Sequence, residues 1–176
     1  LELSDTYYNM RDVLEKHMSS GCAVSMLSQQ FSLFAFAALH PKLAKIASLR
    51  LLLSPALRAG QVDASQMADF LGLLGDAGDR RHRNSLSAPL WARRCAEWIN
   101  RSAQIRAVSL PAPQGLFVVD SGSDQRMAIQ GSSQFTSAGL GYAPSQRFEM
   151  NSWFTTESET TALLEWFNSI WDNQST

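Results

Sequence analysis

Short, nearly continuous apolar runs set between helical patterns constrain this chain more than any other feature. Residues 49–53 read Leu-Arg-Leu-Leu-Leu, and residues 23–28 read Ala-Val-Ser-Met-Leu-Ser. The first resembles a strand covered on both faces, and the second reads as a short buried strand. Between the two, residues 31–39 are apolar nearly all round, the mark of a buried helix, and His40-Pro41 is expected to end it. Ahead of them Tyr7, Met10, Leu14 and Met18 recur at helical spacing, with Asp5 as a candidate N-cap and Gly21 as the stop. Helix and strand patterns in alternation predict an α/β domain.

The same pattern continues downstream. Residues 63–74 can form an amphipathic helix, and the polar, charged stretch 75–87 (GDAGDRRHRNSLS) is expected to be a mobile surface loop. Ser87-Ala88-Pro89 opens a helix that places Leu90, Trp91, Cys95, Trp98 and Ile99 on one face. Strands are predicted at 105–110, 116–119, 127–130 and 148–154, with a hairpin turn at Ser121-Gly122-Ser123-Asp124. Thr156 and Glu159 have capping-box spacing for a last helix, whose apolar face carries Leu163, Leu164, Phe167, Ile170 and Trp171. No internal repeat is visible, so residues 1–176 are expected to form a single domain.

Composition excludes several function classes. At 45% hydrophobic and 18% charged residues the chain is unlike a disordered one. A net charge of -1 argues against a strongly basic nucleic-acid module, although a local patch can still serve. The apolar stretch 31–39 is too short to span a bilayer, and no secretion signal stands at the N-terminus. Two cysteines, Cys22 and Cys95, do not make a zinc site, and Cys95 belongs to an apolar helix face. The expectation is a cytoplasmic protein with no metal and no cofactor.

One segment carries chemical information. Residues 131–140 read Gly-Ser-Ser-Gln-Phe-Thr-Ser-Ala-Gly-Leu, and Phe148-Glu149-Met150-Asn151 follows. This resembles the "GSSNFTxxGL…NxElN" segment of phospholipase D-like nuclease domains, with Gln134 standing where that family has Asn. Residues 24–39 are similar to the "GYFSLSGFxLL" opening of such domains in bacterial helicases and restriction-type proteins. Residues 92–99 are similar to their "ARxCxEWI" helix, and residues 164–172 to their "LxEWFxxLWD" tail. The resemblance implies an α/β/α sandwich with a mixed central sheet flanked by helices.

It also implies where the chemistry should sit. The family carries H-x-K-x4-D before the Gly-Ser loop: the histidine attacks phosphorus, while the lysine and asparagine hold phosphate oxygens. Two such motifs, from two halves or two subunits, complete one active site. Counted back from Gly131, the histidine falls on Pro113, the lysine on Gly115 and the aspartate on Asp120. Proline has no nucleophilic nitrogen and glycine no side chain, so neither covalent attack nor charge neutralisation is available. The histidines present are His17, His40 and His82, none near this strand in sequence; His82 lies between Arg81 and Arg83, whose charges depress its pKa.

Gly131, Ser132, Ser133 and Gln134 offer backbone N–H groups and hydroxyls suited to an oxyanion. Without the lysine, the expectation is a turn kept for shape. Glu149 matches the acidic residue that orients the family's histidine, and with that partner gone a hydrogen bond in the sheet or at a subunit contact is expected. Arg80, Arg81 and Arg83 form one candidate nucleic-acid patch, Arg93 and Arg94 with Arg101 another, since the guanidinium fork pairs with phosphate. The resemblance thus implies a catalytically degenerate module for assembly or nucleic-acid binding, DNA or RNA, in a bacterial DNA-processing or defence system. Its expected partner is a second copy, another phospholipase D-like domain or a helicase subunit, with no membrane. The alternative is an active nuclease subunit whose histidine and lysine come from a partner chain.

Overall fold

The sheet joins a parallel half to an antiparallel half. The computed structural model describes residues 9–54, 88–122, 126–145 and 148–173. Their elements run α1 (Met10–His17), β1 (Ala23–Ser28), α2 (Leu33–Leu43), β2 (Ser48–Leu53), α3 (Ala88–Ser102), β3 (Ala103–Ala107), β4 (Gly115–Asp120), β5 (Arg126–Gly131), β6 (Asn151–Phe154) and α4 (Glu157–Asp172). The six strands form one mixed sheet in the order β3-β2-β1-β4-β5-β6. Strands β1, β2 and β3 are parallel; β4, β5 and β6 each run antiparallel to the neighbour before them. The chain is therefore α/β, with a mixed sheet and helices on both faces.

Period-two alternation sorts the strand side chains between two cores. Val24, Met26, Leu49, Leu51, Phe117, Val119, Met127 and Ile129 face one side, where Leu14 of α1, Phe36 and Leu39 of α2, and Cys95 and Trp98 of α3 cover them. Leu27, Leu52, Leu116, Val118 and Ala128 face the other side and meet Phe167 and Trp171 of α4. Both faces of β1, β2, β4 and β5 are thus dry, which explains their continuous apolar runs. Arg50, the one charge in those runs, lies over the rings of Phe167 and Trp171 at 5.1 and 5.6 Å and donates to Ser25 Oγ at 2.9 Å. Its charge is held against aromatic faces and a hydroxyl instead of being buried unpaired.

Several boundaries differ from those the sequence suggests, each for a physical reason. Helix α1 begins at Met10, because the Asn9 side chain accepts from Asp12 N at 3.0 Å and closes its first turn; Asp5 lies outside the described residues. Helix α2 runs through Pro41 to Leu43 instead of ending at His40. Burial of Leu39 and Leu43 holds the extra turn, and its terminal carbonyls find donors: Ala44 N reaches His40 O at 2.9 Å, and Trp98 Nε1 reaches Leu43 O at 2.9 Å. Leu90 is half exposed although it shares a helix with the buried Cys95 and Trp98. Strand β3 starts at Ala103, and β6 is four residues long because ladder pairing begins at Asn151. The β4–β5 hairpin turn contains Gly122 at φ +73°, a conformation that glycine adopts without strain. The predicted helix at 63–74 and loop at 75–87 lie outside the described residues.

Candidate functional site

Residues 131–140 leave the end of β5 and fold back under the sheet instead of forming an open surface turn. Ser133 and Phe135 to Leu140 are all buried. Phe135 stacks on Phe31 with ring centroids 4.7 Å apart, and Ser32 N donates to Phe135 O at 2.9 Å. Gly139 N donates to Thr136 Oγ1 at 3.0 Å, and a side chain at Gly139 would run into the Gln134 backbone. From Phe135 to Leu140 the segment is therefore a plug in the core, and packing requires the glycine at position 139.

Gln134 is turned toward β1. Its Oε1 accepts from Gln29 N at 2.7 Å and lies 2.9 Å from Ser28 Oγ. The fully buried Ser28 hydroxyl also accepts from Phe135 N at 3.0 Å and lies 2.7 Å from Gln30 O. The amide oxygen is thus committed to joining the ends of β1 and β5.

The register puts Gly115 opposite Gly131, and Gly131 opposite Asn151, so the starts of β4 and β6 and the end of β5 share one end of the sheet. There the Gly-Ser-Ser turn is enclosed by the strand beside it. Ser132 N donates to Met150 O at 3.0 Å, and Met150 N returns a bond to Ser132 Oγ at 2.9 Å. Asn151 bridges Ser133, its Oδ1 accepting from Ser133 N at 3.2 Å and its Nδ2 donating to Ser133 Oγ at 2.8 Å. The Glu149 carboxyl takes the hydroxyls: Ser132 donates at 2.8 Å, Ser145 at 3.3 Å and Ser133 at 3.5 Å. An incoming phosphate would compete with an acidic side chain for the same donors.

The remaining candidates are dispersed. Pro113 is exposed just before β4, and Gly115 is buried. A Cβ at position 115 would overlap the Ser133 carbonyl oxygen, so no side chain of any type fits there without backbone movement. Asp120 is at the opposite end of β4, paired with Arg126 at 2.8 Å and accepting from Gly122 N at 3.1 Å. Burial pushes its pKa up, but the Arg126 hydrogen bond, the Gly122 N–H and the Arg126 charge outweigh it and hold the carboxyl below its ordinary value.

His17 ends α1 near Ser121, and His40 packs edge-on against Phe36 and Trp91. Burial lowers both pKa values, helped by Lys16 at His17 and by Arg94 and Arg101 at His40. Neither reaches the Gly-Ser-Ser turn. Arg93, Arg94 and Arg101 are exposed on α3, with Arg94 lying 5.1 Å over the Trp91 ring. Arg80, Arg81, His82 and Arg83 lie outside the described residues.

Sequence reasoning missed Ser145 and Asn151 as partners in this network, and Ser28 and Gln29 as partners of Gln134. One signal was available at 148–151, where polar and apolar residues alternate. Glu149 and Asn151 turn to the Gly-Ser-Ser loop, while Phe148 and Met150 are 105% and 82% exposed. Among the described residues no cluster of three or more His, Cys, Asp or Glu could hold a metal ion, and no helix is long and apolar enough to cross a membrane. No protein-family model matches the chain, and no curated protein is significantly similar to it.

Proposed function

We propose that this chain is a phospholipase D-like domain that has lost catalysis and serves as an assembly module, with nucleic acid as a secondary ligand, in a bacterial DNA-processing or defence system. The observation that carries the reading is Gly115: the position that would hold the phosphate-binding lysine cannot admit even a Cβ beneath the Ser133 carbonyl. Glu149, seated on the Ser132 hydroxyl, supports the same conclusion, because the turn's donors already serve an acid.

The assembly role rests on the edge of the sheet. Strand β6 ends the strand order, and the extended segment leading into it presents Phe148 and Met150 to solvent, with Trp153 half exposed beyond them. Edge strands flanked by exposed apolar side chains invite pairing with another chain. A second copy fits best, since antiparallel pairing of residues 148–150, just ahead of β6, about a two-fold axis sets Phe148 of each copy beside Met150 of the other. Exposed Arg93 and Arg94 on α3 offer a sequence-blind contact to phosphates.

Light scattering on the purified chain and on the Phe148→Asp, Met150→Asp double variant tests this. A dimer that becomes a folded monomer, whose melting temperature no longer depends on protein concentration, is the expected result. A wild-type monomer, or metal-independent hydrolysis of a simple phosphodiester by the unmodified chain, would overturn the reading.

A further inference from the structure

A cleft on the α4 side of the sheet is built differently from the Gly-Ser-Ser turn, although Pro113, Gly115 and Gln130 border it at that end of the sheet. It encloses about 550 Å³ between residues 111–115 and α4, and a second lobe of about 350 Å³ adjoins it. Both lobes share Leu27, Pro111, Ala112 and Trp166. The volume of the larger is that of small-molecule sites. Pro111 and Pro113 form one wall, and neither carries a backbone N–H. The segment is pinned from behind, where Gln29 Nε2 donates to Ala112 O at 2.9 Å and Ala112 N donates to Ser54 Oγ. The opposite wall is Trp166, whose large ring is half exposed. No charged residue lines either lobe among the described residues.

The polar groups of the larger lobe are concentrated at one place. Gln130 Nε2 donates to Gln114 Oε1 at 2.9 Å, which ties the two primary amides together where the lobe meets the sheet end. Whichever amide donates, the pair keeps a free donor and a free acceptor, and no other described residue takes them. That arrangement selects among ligands. One extended peptide residue can offer its N–H and C=O to such a pair, but the backbone has no flat ring to lay on the indole. An aliphatic chain leaves both groups unmet at a cost. A nucleobase edge carries donor and acceptor adjacent, on a neutral flat ring that stacks on an indole.

The geometry points to a binding site for one unpaired nucleobase, stacked on Trp166 and read by Gln114 and Gln130, offered either by a free nucleoside or by a single-stranded nucleic acid. No described residue of the lining is a cation, so the described lining offers a phosphate no charge partner. The cleft shares Pro113 and Gly115 with the degenerate motif and involves no residue of the β6 contact.

Calorimetric titration with the four common nucleosides, a single-stranded oligonucleotide, indole and a proline-rich peptide tests the inference. At least one nucleoside should bind saturably with equal affinity at low and high salt. Trp166→Ala should weaken it roughly tenfold, Trp166→Phe should retain most of it, and Gln114→Leu should weaken it several-fold. An oligonucleotide binding no tighter than the nucleoside identifies the free compound as the ligand; tighter binding that still requires Trp166 identifies the strand. Failure of every nucleoside to bind, equal binding of indole, binding of the peptide alone, or affinity unchanged by Trp166→Ala would overturn it. Running the same titration on the Phe148→Asp, Met150→Asp variant keeps the two proposals separate, since base binding should survive loss of the dimer.

Discussion

At position 115 strand β4 passes so close beneath the Ser133 carbonyl oxygen that the absence of a Cβ is a packing requirement. The obstructing atom belongs to the backbone of the buried turn, so it cannot swing away as a flexible side chain would. Gly115→Ala is therefore expected to lower stability by about 1–3 kcal/mol, read as a fall in the urea midpoint at unchanged slope. The pair Pro113→His, Gly115→Lys, which rewrites the family's motif letter by letter, should be less stable still and should not gain hydrolysis. Full stability in Gly115→Ala would show that the turn shifts easily, and the argument from sterics against catalysis would fall with it. Sequence showed that the lysine is absent. It did not show that the space for it is absent, because that depends on how residues 131–140 fold under the sheet.

The elements divide between those whose residues dictate them and those decided by distant contacts. Strands β1, β2, β4 and β5 were legible because both of their faces are dry, and so their apolar runs are unbroken or nearly so. The start of β6 was not, because Phe148 and Met150 carry strand-like alternation outside any ladder. Helix α2 was misjudged at Pro41 because the donor that completes its end, the Trp98 indole N–H, comes from a helix 55 residues away. The Glu149 and Gln134 networks were illegible for the same reason, since the register of β5 and β6 chooses the partners of Glu149 and the return of residues 131–140 to the end of β1 chooses those of Gln134. Trp98 provides a direct test of this long-range completion. It is 2% exposed, lies 5.3 Å from the Phe36 ring and donates to Leu43 O. Trp98→Phe preserves most of the packing but leaves that carbonyl without its donor, and should cost about 1–3 kcal/mol. Trp98→Ala, which also opens a cavity between α2 and α3, should cost about 3–5 kcal/mol. Equal losses in the two variants would mean that the indole hydrogen bond carries the contact and the ring does not.

For the molecule as a whole, the groups that folding buries set a pH window for stability. His17 and His40 have folded-state pKa values below the ordinary 6.5, so the unfolded chain binds more protons and stability falls as pH drops through that value. Asp120 acts further down: its lowered pKa gives stability that is lost as the carboxyl protonates. On the alkaline side, burial pushes the Cys95 thiol from an ordinary 9.0 up to about 11. Here the folded chain keeps a proton that the unfolded chain releases, so the contribution is complete below about pH 9 and disappears as pH rises toward 11. A shift of that size corresponds to about 3 kcal/mol. Burial raises Cys22 as well, and burial with the Glu15 hydrogen bond and charge raises Tyr142, so all three slopes have the same sign. The expected profile is a plateau from about pH 6.5 to 9 with an alkaline fall that Cys95 contributes to measurably. Urea midpoints taken across pH 7 to 11 for the wild type and for Cys95→Ala provide the test. The variant should start less stable, from the cavity it opens beside Trp98, and then decline less steeply above pH 9. Parallel curves would mean that the thiol does not titrate between the two states, and that Tyr142 and Cys22 account for the alkaline limb.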